Sequence, residues 1–295
     1  MKRIGLFFAC FLFLLVPTVS AQSWGCPERD YKCQLDVVSK ALKDDPKNPE
    51  NYYNIGIVLQ RSRAYNEAIE SFSMYVSIPG LKAEFAADGY NNRGICYRAS
   101  KRPDLAYTDY TKAIELNPKS PIFLFNRGNA SVDLKKYDQA IADYDRAIIL
   151  DPKYAPAYAG RGNALAEQSK PDEAIKAFSK AIEVDPNDTE SYYNRGFMYS
   201  GKSEFAKAIA DYDKYIALLQ DNPVYLADGL MNRGLAHFYS GSAQKAVEDF
   251  TRVIAMYPNN AGAYKARAKA YRGIKKDDLA VADEKKATQL TSLPK

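Results

Sequence analysis

Six glycines recur with a nearly fixed spacing: Gly56, Gly94, Gly128, Gly162, Gly196 and Gly234, and four of them close the string Asn-Arg-Gly. The three central intervals are equal, and the first and last are longer by four. A repeat of about 34 residues is the mark of stacked helical hairpins, each unable to bury its apolar face alone. Such an array builds an extended face and seldom an enclosed pocket. Binding is therefore the first expectation, ahead of catalysis.

The residues around each glycine repeat as well. In the third unit Phe123-Leu124-Phe125-Asn126-Arg127-Gly128 is followed by Tyr137, Ala140, Tyr144, Ala147 and Pro152. The same spacing holds for Gly162, Ala174, Phe178, Ala181 and Pro186, and for Gly94, Ala106, Tyr110, Ala113 and Pro118. Gly56, Ala68 and Phe72 extend it backward; Gly196, Ala208 and Tyr212, then Gly234, Ala246, Phe250 and Pro258, carry it forward. A weaker seventh copy keeps Tyr264, Tyr271, Ala280 and Ala287, with Ala268 in place of the glycine. This pattern resembles the tetratricopeptide repeat, from about residue 31 to about residue 290. The resemblance implies an all-α, right-handed superhelical solenoid of about seven helical hairpins with an N-terminal capping helix. The array is expected over 49–290, with repeats starting near 49, 87, 121, 155, 189, 227 and 261 and a short tail at 291–295.

The physics of the pattern stands beside the family name. Glycine or alanine at the waist of a hairpin lets two helix backbones approach, and an aromatic such as Tyr144 fills the wider gap toward the next unit. Proline after Leu-Asp or Leu-Asn, as at Pro118 and Pro152, ends the second helix, because the residue before proline is driven out of the helical region. Tyrosine is abundant, 23 against a single tryptophan, since it fills most aromatic slots of the repeat. The net charge of +5 is spread as alternating signs. That is a solvated surface, not the basic stripe that nucleic acid requires, and no nucleic-acid partner is expected.

The segment 1–21 follows a different physics. Lys2 and Arg3 precede an apolar run from Ile4 to Val16, and Val19-Ser20-Ala21 offers small residues for cleavage before Gln22. The segment reads as a secretory signal peptide, so the chain is expected to be exported, periplasmic or extracellular, with no integral membrane span once cleaved. An uncleaved N-terminal anchor is the other reading of the same run. A lipoprotein site fits less well, because Ser23-Trp24-Gly25 precedes Cys26. In an oxidising compartment Cys26 and Cys33 are expected to pair within a cap segment at 22–48, and no histidine stands near them to suggest zinc. Cys96, two residues after Gly94, reads as a buried free thiol.

The helix from about Tyr31 to Lys43, with Val38, Ala41 and Pro46, looks like a lone second half of a repeat covering the first hairpin. At the far end Glu284 replaces the usual aromatic and gives the last helix a polar outer side. With both ends capped, a monomer or weak homo-oligomer is expected. Arg93, Arg127, Arg195, Arg233 and Arg267 each have an aspartate sixteen residues later: Asp109, Asp143, Asp211, Asp249 and Asp283. Ile55 and Ser71 replace both partners together in the first unit, which suggests structural ion pairs; Arg161, facing Ala177, is left for another carboxylate. A row of arginines reading a ligand is the alternative. The two longer intervals insert four residues, within 77–89 and 218–229, and both segments end in Ala-Asp-Gly. A lengthened loop and a pair of protruding edges that bracket a ligand are both compatible with them.

In the tetratricopeptide family the first helix of each hairpin lines the concave surface. There this sequence places Tyr53, Asn91, Phe125, Asn129, Asn163, Tyr193, Phe197, Met231 and Phe238, then Lys265 and Lys269 in the last unit. Helical faces turned to water usually carry charge, whereas most of these are aromatic, aliphatic or amide. Asn129 and Asn163 could hold a peptide backbone, the aromatics could take apolar side chains, and the basic end, with Arg272, could take a carboxylate. Packing between adjacent inner helices is the other use of such residues. Relatives that grip chaperone tails carry a clamp lysine where Tyr53 and Asn91 stand, so the resemblance is nearer to exported adaptors.

His237, the single histidine, sits where Tyr97 and Tyr199 stand in other units and reads as a packing residue. No nucleophile motif, phosphate loop or metal spacing is found, so no enzyme, cofactor or metal is expected. The sequence thus points to a non-catalytic adaptor for a protein or peptide segment. An assembly factor acting through its outer faces, or a cell-wall carbohydrate binder, is the alternative.

Overall fold

The structure is a computed structural model that describes residues 25–219 and 223–292. The expected signal segment, Cys10 and Gln220 to Asn222 lie outside the described residues. Within them the chain is helical, with fifteen helices and no strand. After α1 (Tyr31–Asp44) come seven hairpins, each a first (A) and a second (B) helix. They are α2 (Pro49–Arg61) with α3 (Tyr65–Val76), α4 (Ala83–Ala99) with α5 (Pro103–Leu116), and α6 (Pro121–Asp133) with α7 (Tyr137–Leu150). Then follow α8 (Ala155–Glu167) with α9 (Pro171–Val184), and α10 (Thr189–Gly201) with α11 (Phe205–Leu218). The series closes with α12 (Pro223–Tyr239) and α13 (Ala243–Met256), then α14 (Ala261–Gly273) and α15 (Asp277–Ser292). The chain divides into two units, Met1–Gly160 and Arg161–Lys295.

Inside each unit the repeat pattern is met by contact. Tyr110 and Tyr144 in the first unit, and Phe178, Tyr212 and Phe250 in the second, are fully buried. A Cβ built on Gly128 would stand 2.6 Å from the Tyr144 ring, closer than carbon atoms can pack, so the waist admits glycine there. At the turn between A and B helices one residue adopts a left-handed backbone in every hairpin: Arg63, Lys101, Lys135, Ser169, Ser203, Gly241 and Lys275, with φ between 59° and 86°. Only one of the seven is glycine, so six side chains hold a conformation that L residues disfavour, and the surrounding backbone hydrogen bonds impose it.

The arginines form a ladder. Arg127 donates from Nε and Nη2 to both Asp143 oxygens at 2.8 and 2.6 Å, and from Nη1 to Thr111 Oγ1 of the preceding B helix at 3.4 Å. Arg93 does the same with Asp109 and Ser73, Arg195 with Asp211 and Ser179, Arg233 with Asp249 and Asp213, and Arg267 with Asp283 and Thr251. Each guanidinium therefore ties three helices with a paired fork, the geometry that makes such a half-buried charge tolerable.

The two insertions are taken up mainly in the helices that follow them. They extend the A helix by one turn: α4 and α12 have 17 residues, whereas α2, α6, α8, α10 and α14 have 13. These helices therefore begin at Ala83 and Pro223, four residues before the starts expected near 87 and 227. The repeated Ala-Asp-Gly has a packing cause. A Cβ at Gly89 would meet the Tyr75 ring at 2.6 Å, and one at Gly229 would meet Tyr215 at 2.8 Å.

At the start, Cys26 and Cys33 are joined in a disulfide with Cα atoms 5.9 Å apart. Buried Gln34 donates to the carbonyls of Pro27 and Glu28 at 3.0 and 2.9 Å and pins the loop to α1. Asn51 of α2 donates to Ala41 O and Asp45 O, which docks the end of α1 on the first hairpin. At the other end Glu284 is exposed and accepts from Arg272 Nη2 at 2.8 Å.

Candidate binding face

Consecutive A helices touch within each unit, α2 with α4 and α4 with α6, then α10 with α12 and α12 with α14. Amides join them. Asn126 Nδ2 donates to Asn91 Oδ1 at 2.8 Å, and Asn194 Nδ2 donates to Asn163 Oδ1 at 2.9 Å, both pairs buried. Tyr144 donates its hydroxyl hydrogen to Asn129 Oδ1 at 2.7 Å. Asn91, Asn129 and Asn163 are thus committed to neighbours, because an unpaired amide at such depth would cost about 1–3 kcal/mol. Phe125 is also buried, against Tyr144 and Tyr154. These four residues shape the A face from beneath; they do not present the free amides or the open aromatic pocket expected from the sequence.

The remaining expected residues reach the surface. Tyr53 in the first unit is half-buried, as are Tyr193, Phe197, Met231 and Phe238 in the second. On α14, Lys265 and Lys269 are both exposed. Arg272, expected with them as a carboxylate site, is instead engaged by Glu284. His237 is half-buried with Nδ1 lacking a partner, and burial lowers its pKa below the ordinary value. Burial thus favours the neutral form of the imidazole. Burial pushes the Cys96 thiol up to about 12, so it is inert at neutral pH.

Four carboxylates on the A helices were missed. Glu50, Asp88, Glu190 and Asp228 stand six residues before Gly56, Gly94, Gly196 and Gly234, where the other repeats carry Ile122, Pro156 and Gly262. Asp88 lies beside the phenols of Tyr53 and Tyr75, and Asp228 beside those of Tyr193 and Tyr215. Burial raises both aspartate pKa values. Glu190, desolvated and beside Asp188, is raised to about 7 even though it accepts a hydrogen bond from Asn163. The doubled Ala-Asp-Gly was the available signal, and it pointed to duplication without saying what was duplicated.

Among the described residues no group of histidine, cysteine and acidic side chains could hold a metal ion. None of the described helices is long and apolar enough to cross a membrane.

Tetratricopeptide repeat family models match residues 87–120 and 155–188, 109–142 and 177–210, and 231–292; a TPR repeat model matches 128–169. Among curated proteins, a UDP-N-acetylglucosamine–peptide N-acetylglucosaminyltransferase of Giardia intestinalis is similar, 31% identical over 84 residues. That stretch is 28% of this chain and 5% of the transferase, so the likeness spans a small part of that protein. Among solved structures the chain is similar to MamA, with 27% identity, TM-score 0.54, and 59% of this chain and 92% of that one covered. It is also similar in fold to YrrB, a tetratricopeptide repeat protein with an unusual peptide-binding site. That likeness has 23% identity, TM-score 0.54 and coverage of 68% and 98%.

Proposed function

We propose that this chain, which carries tetratricopeptide repeats, is a non-catalytic scaffold that holds a protein or peptide segment against the A helices and works outside the cytoplasm. The observation that carries the reading is the makeup of the A face in the second unit. Tyr193, Phe197, Met231 and Phe238 are half-buried apolar or aromatic side chains on α10 and α12, supported from below by amides already satisfied within the fold. Such a surface is preformed, and a guest that docks on it avoids the cost of ordering it. Export is supported by the charged-then-apolar N-terminal sequence and by the Cys26–Cys33 bond.

The test is capture of partners from the native envelope by the full chain and by a Phe197→Ala, Phe238→Ala variant whose melting midpoint is measured in parallel. The reading expects partners to be lost while the variant stays folded. Retention of the same partners by the folded variant would move the site elsewhere.

A second reading, self-association through outer faces, has one observation in its favour. Ile149 is 77% exposed on the B helix α7, beside exposed Leu150. Light scattering of the wild type and an Ile149→Glu variant across concentration separates a self-associating chain from a monomer.

A further inference from the structure

The chain contains the same side-chain constellation twice, once in each unit. In the first, Tyr53 and Tyr75 have ring centroids 5.0 Å apart at 50°. Asn92 Nδ2 donates to the Tyr53 hydroxyl at 3.0 Å and to the Asp88 carbonyl at 3.0 Å. In the second, Tyr193 and Tyr215 are again 5.0 Å apart at 50°. Asn232 Nδ2 donates to the Tyr193 hydroxyl at 2.9 Å and to the Asp228 carbonyl at 3.1 Å. The aspartate stands just after the extra helical turn, in the register of Glu50 and Glu190 on the shorter helices, and Gly89 or Gly229 directly after it makes room for the inner tyrosine.

The charges at both places are of one sign. Asp88, Asp228, Glu50 and Glu190 make no ion pair with a described lysine or arginine, and no described cation stands over any of the four tyrosines. The arginines of the same helices, Arg93 and Arg233, are turned to Asp109 and Asp249. A half-buried carboxylate without a cation costs stability, and the raised pKa values of Asp88 and Asp228 show that cost. The other repeats avoid it with Ile122, Pro156 and Gly262. Two features therefore point the same way: a tyrosine that is only half-buried, and a carboxylate beside it that lacks a counterion.

We propose that these two Tyr–Asp–Asn constellations are matched anchor points for cationic side chains, lysine or arginine, of a basic partner segment. The complement is one of charge. An ammonium or guanidinium at either place would meet a carboxylate and the face of Tyr53 or Tyr193, the pairing that cation–π attraction and a partly desolvated carboxylate favour. The inference rests on the reading that the A face holds a peptide, and it names the chemistry of that peptide.

The experiment is selection of a displayed library of random peptides on the full chain, followed by titration of the enriched peptide, its counterpart with acetylated lysines and citrulline for arginine, and the variants Asp88→Asn and Asp228→Asn. Enrichment of lysine and arginine is expected, with binding weakened about fivefold or more by each Asn substitution and by neutralising the peptide. The melting midpoints of both variants should hold or rise, since a charge without a counterion is removed. Enrichment of acidic or uncharged peptides overturns the anchor proposal and leaves peptide binding standing. Enrichment of nothing overturns both. Basic peptides that bind the two Asn variants as tightly as the wild type, or displacement of the enriched peptide by calcium at the same two sites, also overturn the anchors. A marked loss of stability in either variant would make the carboxylate a structural group and do the same.

Discussion

Tyr144 shows how much a single repeat position carries. Its ring lies between Gly128 and Gly160, where added Cβ atoms would come within 2.6 and 2.8 Å, and its hydroxyl donates to Asn129. Tyr144→Ala should cost about 3–5 kcal/mol, the usual range for removing a buried aromatic. Tyr144→Phe should cost about 1–3 kcal/mol, because it leaves the buried Asn129 oxygen unpaired. Denaturant unfolding of both variants checks the pair, and near-equal losses would mean that the ring's packing is not the main term. Glu190 gives a pH signature. Its folded pKa is about 7, above the ordinary carboxylate value, so the unfolded state gives up the proton first as pH rises. The stability from this group is full below the unfolded value and is lost as pH climbs through about 7. Melting midpoints compared at pH 5 and pH 8 should fall further for the wild type than for Glu190→Gln; parallel behaviour would contradict the burial of this carboxylate. The sequence showed Tyr144 plainly, through its fixed spacing from Gly128. It did not show Glu190, since one acidic residue in a helical first turn looks like any surface charge.

At the scale of elements, periodicity carried the hairpins, because waist and aromatic slots admit few residue types. The insertions were harder to read. Four added residues fit a loop or one more helical turn, and the choice depends on the packing of Gly89 against Tyr75 and of Gly229 against Tyr215. The face of the A helices was also only partly legible. Asn91, Asn129 and Asn163 were rightly placed on those helices, but the partners that claim their amides lie on a neighbouring helix at distances in sequence from 15 to 35. At the N-terminus, the Cys26–Cys33 bond closes a short loop over α1. Replacing both cysteines with serine should cost about 2 kcal/mol, felt in the exchange protection of α1 and the first hairpin and not in the second unit. Hydrogen exchange resolved by segment checks this. Thiol labelling of the denatured, unreduced chain should modify Cys96 and spare Cys26 and Cys33. Labelling of all three would remove the disulfide, and with it one support for export.

For the whole molecule, the account is one of a scaffold whose working surface is made by A helices in each of two units. Its chemistry is divided between structure and recognition. Arginine–aspartate forks and buried amides hold the hairpins together, while half-buried aromatics, carboxylates without a counterion, and Lys265 and Lys269 are the groups proposed to meet a partner. The most direct test is site-specific photo-crosslinking in the native envelope. A photoreactive phenylalanine analogue is placed at Phe197 or Phe238 on the A helices, and in separate chains at Ile149 or Val281, which are exposed on B helices. The account predicts one or a few discrete protein adducts from Phe197 and Phe238 and none of the same species from Ile149 and Val281. The same adducts from the B-helix positions, with the A-helix positions silent, would contradict it.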